Sequence, residues 1–325
     1  MFSRQPAPLI GLDVSTSSVK LVELGQDRSG NLTLERCGIE LLESGWVSDG
    51  NIEKFDEVVE ATRRLVNRSG SKTKHVAMAL PASVVISKKI ILPGGLSERE
   101  MEVQVESEAN QYIPFSLDEV ALDFCVVGPS STSAGDVEVV IAASRKEKVE
   151  DRQGLAEAVG LTPVVMDVET YASRLAASRI IGRLPAGGVD AVIALFEVGA
   201  LTSTLQVMRN DDLVYERDQV FGGAQLTQML VRQYGFTLDE AETKKRAGEL
   251  PDDYGPVVLQ PFVESLAQEI ERALKFFFTS TPHHRVDYIL LAGGTAGLPG
   301  LTEVVTRLTS FPCQVVNPFD GMDAG

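Results

Sequence analysis

Cysteine and histidine are scarce in this chain of 325 residues, three of each, and none is placed for chemistry. Cys37, Cys125 and Cys313 lie far apart and share no metal-ligand spacing. That argues against a disulfide framework or a zinc site and fits a reducing compartment. His283 and His284 are neighbours in an expected loop and His75 stands alone before a strand, so no histidine-based motif is read. Long apolar runs are missing as well: no uncharged stretch approaches the ~18 residues that cross a bilayer. The opening "MFSRQPAPLIGLD" lacks the apolar segment of a signal peptide. Basic residues are outnumbered, 30 against 46 acidic, for a net charge of −16. Such a chain repels nucleic acid and anionic lipid headgroups, and a polyphosphate ligand would need a local site strong enough to overcome that field. The location these absences predict is the cytoplasm, with no direct membrane span and no nucleic-acid partner.

With 44% hydrophobic and 23% charged residues the chain reads as globular, and its length calls for two domains or more. Alternation and β-branching predict strands near 9–14, 18–24 and 32–41, joined by polar turns such as "DRSGN". A helix over 54–68 follows, with Phe55, Val58, Val59, Thr62, Leu65 and Val66 at helical spacing. "HVAMALP" reads as a buried strand. The block 83–165 changes texture. It holds the strand "VVISKKIIL", a helix opened by the capping-box pair Ser97 and Glu100, and strands at 121–127 and 137–143 around the loop "GPSSTSAGD". A helix over 146–159 and a strand over 162–168 complete it. Met101, Val105, Ala109 and Tyr112 make one apolar stripe, expected to be core. A second half opens at 189 after "RLPAGG". Its strands at 190–197, 201–208 and 213–221 precede helices near 223–234, 238–247 and 256–278, where Leu266, Ile270, Leu274 and Phe277 face one way. "VDYILLAGGTAGLPGLTEVVTRL" is a strand, a glycine-rich turn and a helix, and "CQVVNP" a last short strand.

The two halves begin alike. "IGLDVSTSSVKLVEL" aligns with "IALFEVGALTSTLQVM", placing Asp13 on Glu197, Ser15 on Gly199, Ser18 on Thr202 and Lys20 on Thr204. Such duplication predicts two similar lobes, each offering a tight hairpin to one ligand. Small residues at a hairpin tip, here Ser15, Thr16, Ser17 and Ser18 or Gly199, Ala200 and Thr202, let backbone N–H groups approach phosphate oxygens, and hydroxyls add donors. Lys20 supplies a point charge. Asp13 and Glu197 are oxygen ligands of the kind Mg²⁺ accepts through its waters. Gly293, Gly294 and Thr295, between a strand and a helix, allow close approach of an adenosine and its phosphate. Any one of these segments is also an ordinary hairpin or a turn feeding a helix; their conjunction points to a nucleotide.

These segments resemble the actin and sugar-kinase superfamily and, within it, the PilM family of type IV pilus assembly, with the cell-division protein FtsA a more distant relative. "GLDVSTSSVK" is similar to the first phosphate motif, "LFEVGALTS" to the second and "LAGGTAGLPG" to the adenosine motif. In "MDVETYASRLA", Glu169 and Ala172 resemble the connecting-segment pattern. Glu242, Lys245 and Arg246 of "EAETKKR" look like the adenine- and ribose-contacting residues of chaperone relatives. "ESEANQYIPFSLDEVALDF" and "NPFDGM" resemble PilM-type segments.

The resemblance implies an α/β, actin-like (ribonuclease H-like) fold of two lobes with duplicated β-meanders, arranged as four subdomains around an ATP cleft. The implied divisions are 1–82 with 166–188, an FtsA- and PilM-type insert at 83–165, 189–222 with 256–325, and a helical part at 223–255. ATP or ADP and Mg²⁺ are the implied cofactors, the metal held through water by Asp13 and Glu197. The implied partner is the N-terminal cytoplasmic tail of PilN, bound in a groove beside the insert, within a PilM–PilN–PilO–PilP complex. Other pilus motor or platform proteins are further implied partners, and attachment to the inner membrane would be indirect. Two departures stand out: Glu197 replaces the usual aspartate, and relatives continue beyond "GMDAG" with a strand and a closing helix. Two other activities stay open. One is a phosphotransferase or ATPase using Glu169 or Asp167 as base, with hydrolysis slow at most in the preferred reading. The other is an FtsA-like, self-associating filament.

Overall fold

Alternating apolar and polar residues build an antiparallel meander of β1 (Ile10–Val14), β2 (Ser18–Gln26) and β3 (Leu32–Leu41). The computed structural model describes residues 8–27, 29–130, 132–210 and 212–324. The opening residues 1–7, Arg28 of "DRSGN", Ser131 of "GPSSTSAGD", Asp211 and Gly325 lie outside the described residues. The chain divides into two compact units, Met1–Arg174 with Gly321–Gly325, and Leu175–Asp320.

In the first unit, β4 (Val47–Ser48) and β5 (Asn51–Ile52) pair across Asp49 and Gly50. Both turn residues have positive φ, 48° and 79°, as a two-residue I′ hairpin requires. α1 (Phe55–Ser69) buries Val58, Val59, Ala61, Thr62, Leu65 and Val66 and stops at Gly70 in the left-handed conformation. Phe55, expected on that buried face, is 38% exposed, because it stands at the helix start, outside the packed turns. β6 (His75–Leu80) then runs parallel to β1.

The inserted block comprises β7 (Val85–Pro93), α2 (Glu98–Ala109), β8 (Val120–Pro129) and β9 (Asp136–Arg145), with strand order β7-β9-β8. Ser97 and Glu100 form the expected capping box. Met101 and Val105 pack with Ile90, Leu92, Val139 and Ile141, Tyr112 lies alongside, and Ala109 joins Ile113, Val120 and Ala143. α3 (Lys146–Ala158) and β10 (Thr162–Val168), expected to complete this block, belong instead to the main sheet. β10 pairs in parallel with β6, and Leu155, Ala156 and Leu161 sit in the core under β1 and β2. Those apolar residues are buried there, in one core with Ile10, Leu12 and Leu21. α4 (Glu169–Ile181) follows. The division between the units falls within it, where the sequence reading set the junction after "RLPAGG".

The second unit repeats the plan. β11 (Val192–Val198), β12 (Ser203–Arg209) and β13 (Asp212–Gln219) form the meander. α5 (Ala224–Tyr234), α6 (Leu238–Ala247) and α7 (Gln260–Ser280) follow. A π-helical turn at Gly255–Leu259 leads into α7, with the Gln260 amide reaching back five residues to Gly255. Pro256 lies within this turn and Pro261 just after it, and neither can donate to the regular ladder. Leu266, Ile270, Leu274 and Phe277 of α7 are all buried as expected. β14 (Tyr288–Ala292), α8 (Leu301–Thr309) and β15 (Cys313–Val315) complete the sheet. The orders β3-β2-β1-β6-β10 and β13-β12-β11-β14-β15 correspond strand for strand. The last strand, β16 (Asp323–Ala324), expected with the second lobe, pairs with Thr33 and Leu34 of β3, which gives that edge strand partners for its free backbone groups.

The three cysteines are unpaired, and burial, aided by Glu303, pushes the Cys313 thiol up to about 12. Gln206, on β12, is fully buried with both ends of its amide unpartnered. Each such group costs about 1–3 kcal/mol. Gln206→Met, equal in length and apolar, is therefore expected to raise stability by about 1–3 kcal/mol, read as a higher urea midpoint at unchanged slope; a lower midpoint would contradict the assignment.

Candidate functional site

The β1–β2 turn of the first unit closes through the Ser15 amide on the Ser18 carbonyl at 3.0 Å, and the Ser15 hydroxyl donates to the same carbonyl at 3.0 Å. This register sets Asp13 directly opposite Lys20. Lys20 Nζ donates to Asp13 Oδ2 at 2.6 Å and to Ser15 Oγ at 3.3 Å, with both charged side chains a little under half exposed. Thr16 and Ser17 form the tip, and the Ser17 carbonyl accepts from the Leu42 amide. The fold thus gathers Asp13, Ser15, Ser18 and Lys20 into one hydrogen-bonded group. Within it, Lys20 is paired with the acid expected to serve a metal. Glu169 begins α4, and Asp167 uses its carboxylate on the Val168 amide at 2.7 Å.

The equivalent turn of the second unit closes the same way, Gly199 N–H to Thr202 O at 2.9 Å, with Glu197 opposite Thr204. Thr204, standing where Lys20 stands in the first unit, donates to Asp218 at 2.7 Å. The residues around this turn must be small. The amides of Gly223 and Ala224 donate to the carbonyls of Gly199 and Ala200 at 2.9 and 2.8 Å. A Cβ on Gly222 would lie 2.5 Å from the Ala200 carbonyl oxygen. Gly293, at φ +89°, backs onto β11 so closely that a Cβ would lie 2.4 Å from the Val198 carbonyl oxygen. Thr295 donates to the Gly199 carbonyl at 3.2 Å. Beside Gly294 there is open space. Gly199, Ala200, Thr202, Gly293 and Thr295 are thereby brought together.

One helical turn into α5, Thr227 donates to Glu242 Oε2 at 2.7 Å. Lys245 donates to the same oxygen at 2.6 Å and to Thr227 at 2.6 Å, and Arg246 donates to the other carboxylate oxygen at 2.8 Å. Burial pushes the Glu242 pKa upward. Hydrogen bonds from Lys245 and Thr227, with the charges of Lys245 and Arg246, outweigh burial and hold it below the usual range.

The family described as type IV pilus assembly protein PilM matches this chain over residues 11–325. The chain belongs to that family. Among solved structures it is similar to a PilM–PilN type IV pilus biogenesis complex, at 27% identity and a TM-score of 0.80, covering 99% of this chain and 91% of that one. The ethanolamine utilization protein EutJ from Carboxydothermus hydrogenoformans is similar at 19% identity and a TM-score of 0.59, covering 96% and 85%. A Bacteroides thetaiotaomicron protein with an actin-like ATPase fold matches at 9% and 0.50, covering 98% and 93%. The fold is actin-like, with the duplicated meanders and insert the family resemblance implied.

Within the first unit, the insert, the β4–β5 hairpin and the start of α3 line a cavity of about 450 Å³. Ile86, Ile113, Val120 and Ala143 give it apolar walls, and Asn51, Arg145, Glu147 and Lys148 give it polar ones. The Arg145 guanidinium lies 4.0 Å from the Phe115 ring centroid. Ser144 donates to the Val84 carbonyl at 2.8 Å, tying β9 to the segment that enters β7. Asn51 Oδ1 is buried without a partner.

The sequence reading missed Asn51, Gly222, Gly223 and Arg152. "DG" just before Asn51 was a hairpin signal, and "GG" before α5 a close-approach signal. Arg152 gave none, being one more charge in "KEKVEDRQGLAEA". In the fold it is 2% exposed. Its Nη2 donates to the Gly50 carbonyl at 3.2 Å and its Nε is buried without a partner. Burial lowers its pKa, opposed by the charges of Glu169, Asp13 and Asp151.

A carboxylate whose pKa is depressed in the folded chain stabilises the fold above its unfolded pKa and loses that contribution as pH falls through the folded value. The Glu242 network is therefore expected to stabilise the protein at neutral pH and to fade below about pH 4.5, near the unfolded glutamate value. Glu242→Gln should lower the melting temperature at pH 7, and the gap from the parent chain should narrow in melts taken below pH 4. A gap independent of pH would refute the charge-based reading.

Proposed function

We propose that this chain is an ATP-binding, actin-like platform in type IV pilus assembly that holds the N-terminal cytoplasmic tail of PilN. The observation that carries the proposal is the similarity, over 99% of the chain, to a PilM–PilN complex. It is supported by a cavity of about 450 Å³ beside the insert, with both apolar and polar walls. No helix among the described residues is long and apolar enough to cross a membrane. In this proposal the platform sits in the cytoplasm and reaches the inner membrane through PilN.

The donor sets of both turns fit an anionic nucleotide. ATP, when bound, supplies a triphosphate whose oxygens accept charge-assisted hydrogen bonds. Lys20, with the hydroxyls of Ser15, Thr16, Ser17 and Ser18, would donate to phosphate. The backbone around Gly199–Thr202 and Gly293–Thr295 offers further donors without side-chain obstruction. Glu242, Lys245 and Arg246 would face the adenosine. Asp13 and Glu197 would hold Mg²⁺ through its waters, and Glu169 would orient a water in slow hydrolysis.

The groove would take an extended peptide, burying apolar side chains against Ile86, Ile113 and Val120 while Asn51 offers a buried amide to the peptide backbone. Calorimetry with a synthetic PilN tail peptide tests this directly. Binding is expected, and Ile86→Glu should weaken it at least tenfold without changing the thermal melt. A peptide that fails to bind the parent chain would end the proposal.

Nucleotide binding has its own test. A charge-assisted contact is worth about 1.5–3 kcal/mol, so Lys20→Ala should weaken ATP binding at least tenfold. Unchanged affinity would remove Lys20 from the site.

A further inference from the structure

The groove has one wall that local structure alone does not hold in place. β4 and β5 pair only through Val47 with Ile52 and Ser48 with Asn51, and so short a hairpin is marginal by itself. Its base is tied down. The amides of Glu53 and Lys54 donate to the Trp46 carbonyl at 2.9 and 3.2 Å, and Val47 is buried in the core of the first unit. Its tip, Asp49 and Gly50, is held by residues distant in sequence. Gly50 packs so closely on the segment entering β7 that a Cβ would lie 2.9 Å from Pro81 Cγ and 3.1 Å from Val84 Cγ1. The second hold is Arg152 of α3, a buried side chain whose Nη2 donates to the Gly50 carbonyl at 3.2 Å.

The residue after this tip is Asn51. It lines the groove, and its Oδ1 is buried without a partner. A buried acceptor of that kind costs free energy until a ligand brings a donor, and the N–H groups of an extended peptide are such donors. Glu147 and Lys148, in the first turn of α3, line the same groove. Arg152 follows Lys148 by four residues and so lies on the same face of the helix. One helix therefore supplies part of the groove and, a turn further on, the guanidinium that fixes the hairpin carrying Asn51. We propose that Arg152 is a positioning residue for the groove: by holding the Gly50 carbonyl it sets Asn51 Oδ1 where a peptide N–H can reach it. The rigid, planar guanidinium suits this task better than a flexible ammonium. The inference rests on the proposed function, since it takes the PilN tail as the ligand.

The test is a double-mutant cycle, read by calorimetry of the PilN tail peptide on the parent chain, Asn51→Ala, Arg152→Gln and the two combined. Loss of one hydrogen bond predicts that Asn51→Ala weakens the peptide about fivefold. Arg152→Gln should weaken it by a similar factor, and the double variant should stay within about twofold of Asn51→Ala alone. Arg152→Lys, which keeps a donor for the Gly50 carbonyl, should recover part of the loss. A purely structural role would lower the melting temperature and leave the peptide Kd unchanged or the losses additive. Hydrogen exchange adds a local reading: amides of 49–52 should exchange faster in Arg152→Gln, while those of 75–80 keep the parent's protection. Parent affinity in either single variant, additive losses, or exchange that quickens equally in both segments overturns the inference and leaves the proposed function standing. If Arg152→Gln does not fold, Arg152→Lys carries the same cycle; failure of both to fold makes Arg152 a residue of stability alone and overturns the inference as well. A peptide that does not bind the parent chain overturns both.

Discussion

A strand presents its side chains to alternate faces, so a hairpin that slips by one residue turns every functional side chain to the wrong side. The closed turns at Ser15–Ser18 and Gly199–Thr202 remove that freedom. With the first fixed, Asp13 and Lys20 must stand opposite each other while Ile10, Leu12 and Val14 point into the core. The same register in β11 and β12 puts Glu197 and Thr204 at the equivalent points. A half-exposed ion pair such as Lys20–Asp13 adds only about 0–1 kcal/mol to stability. A hydrogen bond from an ammonium to an anion of a ligand is worth about 1.5–3 kcal/mol. The pair is therefore poorly explained as a brace and well suited to giving up its lysine.

The two turns share geometry and differ in chemistry. In the first unit the tip is built from hydroxyl side chains beside a cation. In the second, the matching positions carry Gly199 and Thr204, and the neighbouring Gly222 and Gly293 are packed where no Cβ fits. The first turn carries charge and side-chain donors; the second carries bare backbone at close range. Duplication supplied the scaffold twice, and the two copies differ in the residues set on it.

Much of this was legible because it is local. Period-two alternation marked β1, β2 and β3, the Ser97 and Glu100 pair marked α2, and the repeated acid-plus-small-residue turn marked the duplicated fold. What escaped depends on contacts between residues distant in sequence. α3 and β10 look like the end of the insert when read along the chain, since nothing in "KEKVEDRQGLAEA" says that Leu155 and Ala156 lie beneath β1. Parallel pairing of β10 with β6 decides it, and parallel partners carry no turn signal between them. The same holds for β16, which is two residues long and is defined only by its place beside β3. The groove is invisible in sequence for the same reason, as its walls come from five separate segments.

Arg152 is the extreme case. On a helix of otherwise ordinary polarity a single arginine reads as a solvated charge, and arginine is seldom fully buried without partners. Here the charges of Glu169, Asp13 and Asp151 oppose the desolvation in part, and the Gly50 carbonyl takes one donor. An excess of acid over the whole chain contributes little to this, because bulk charge is screened over about 10 Å. The offset must come from those few carboxylates.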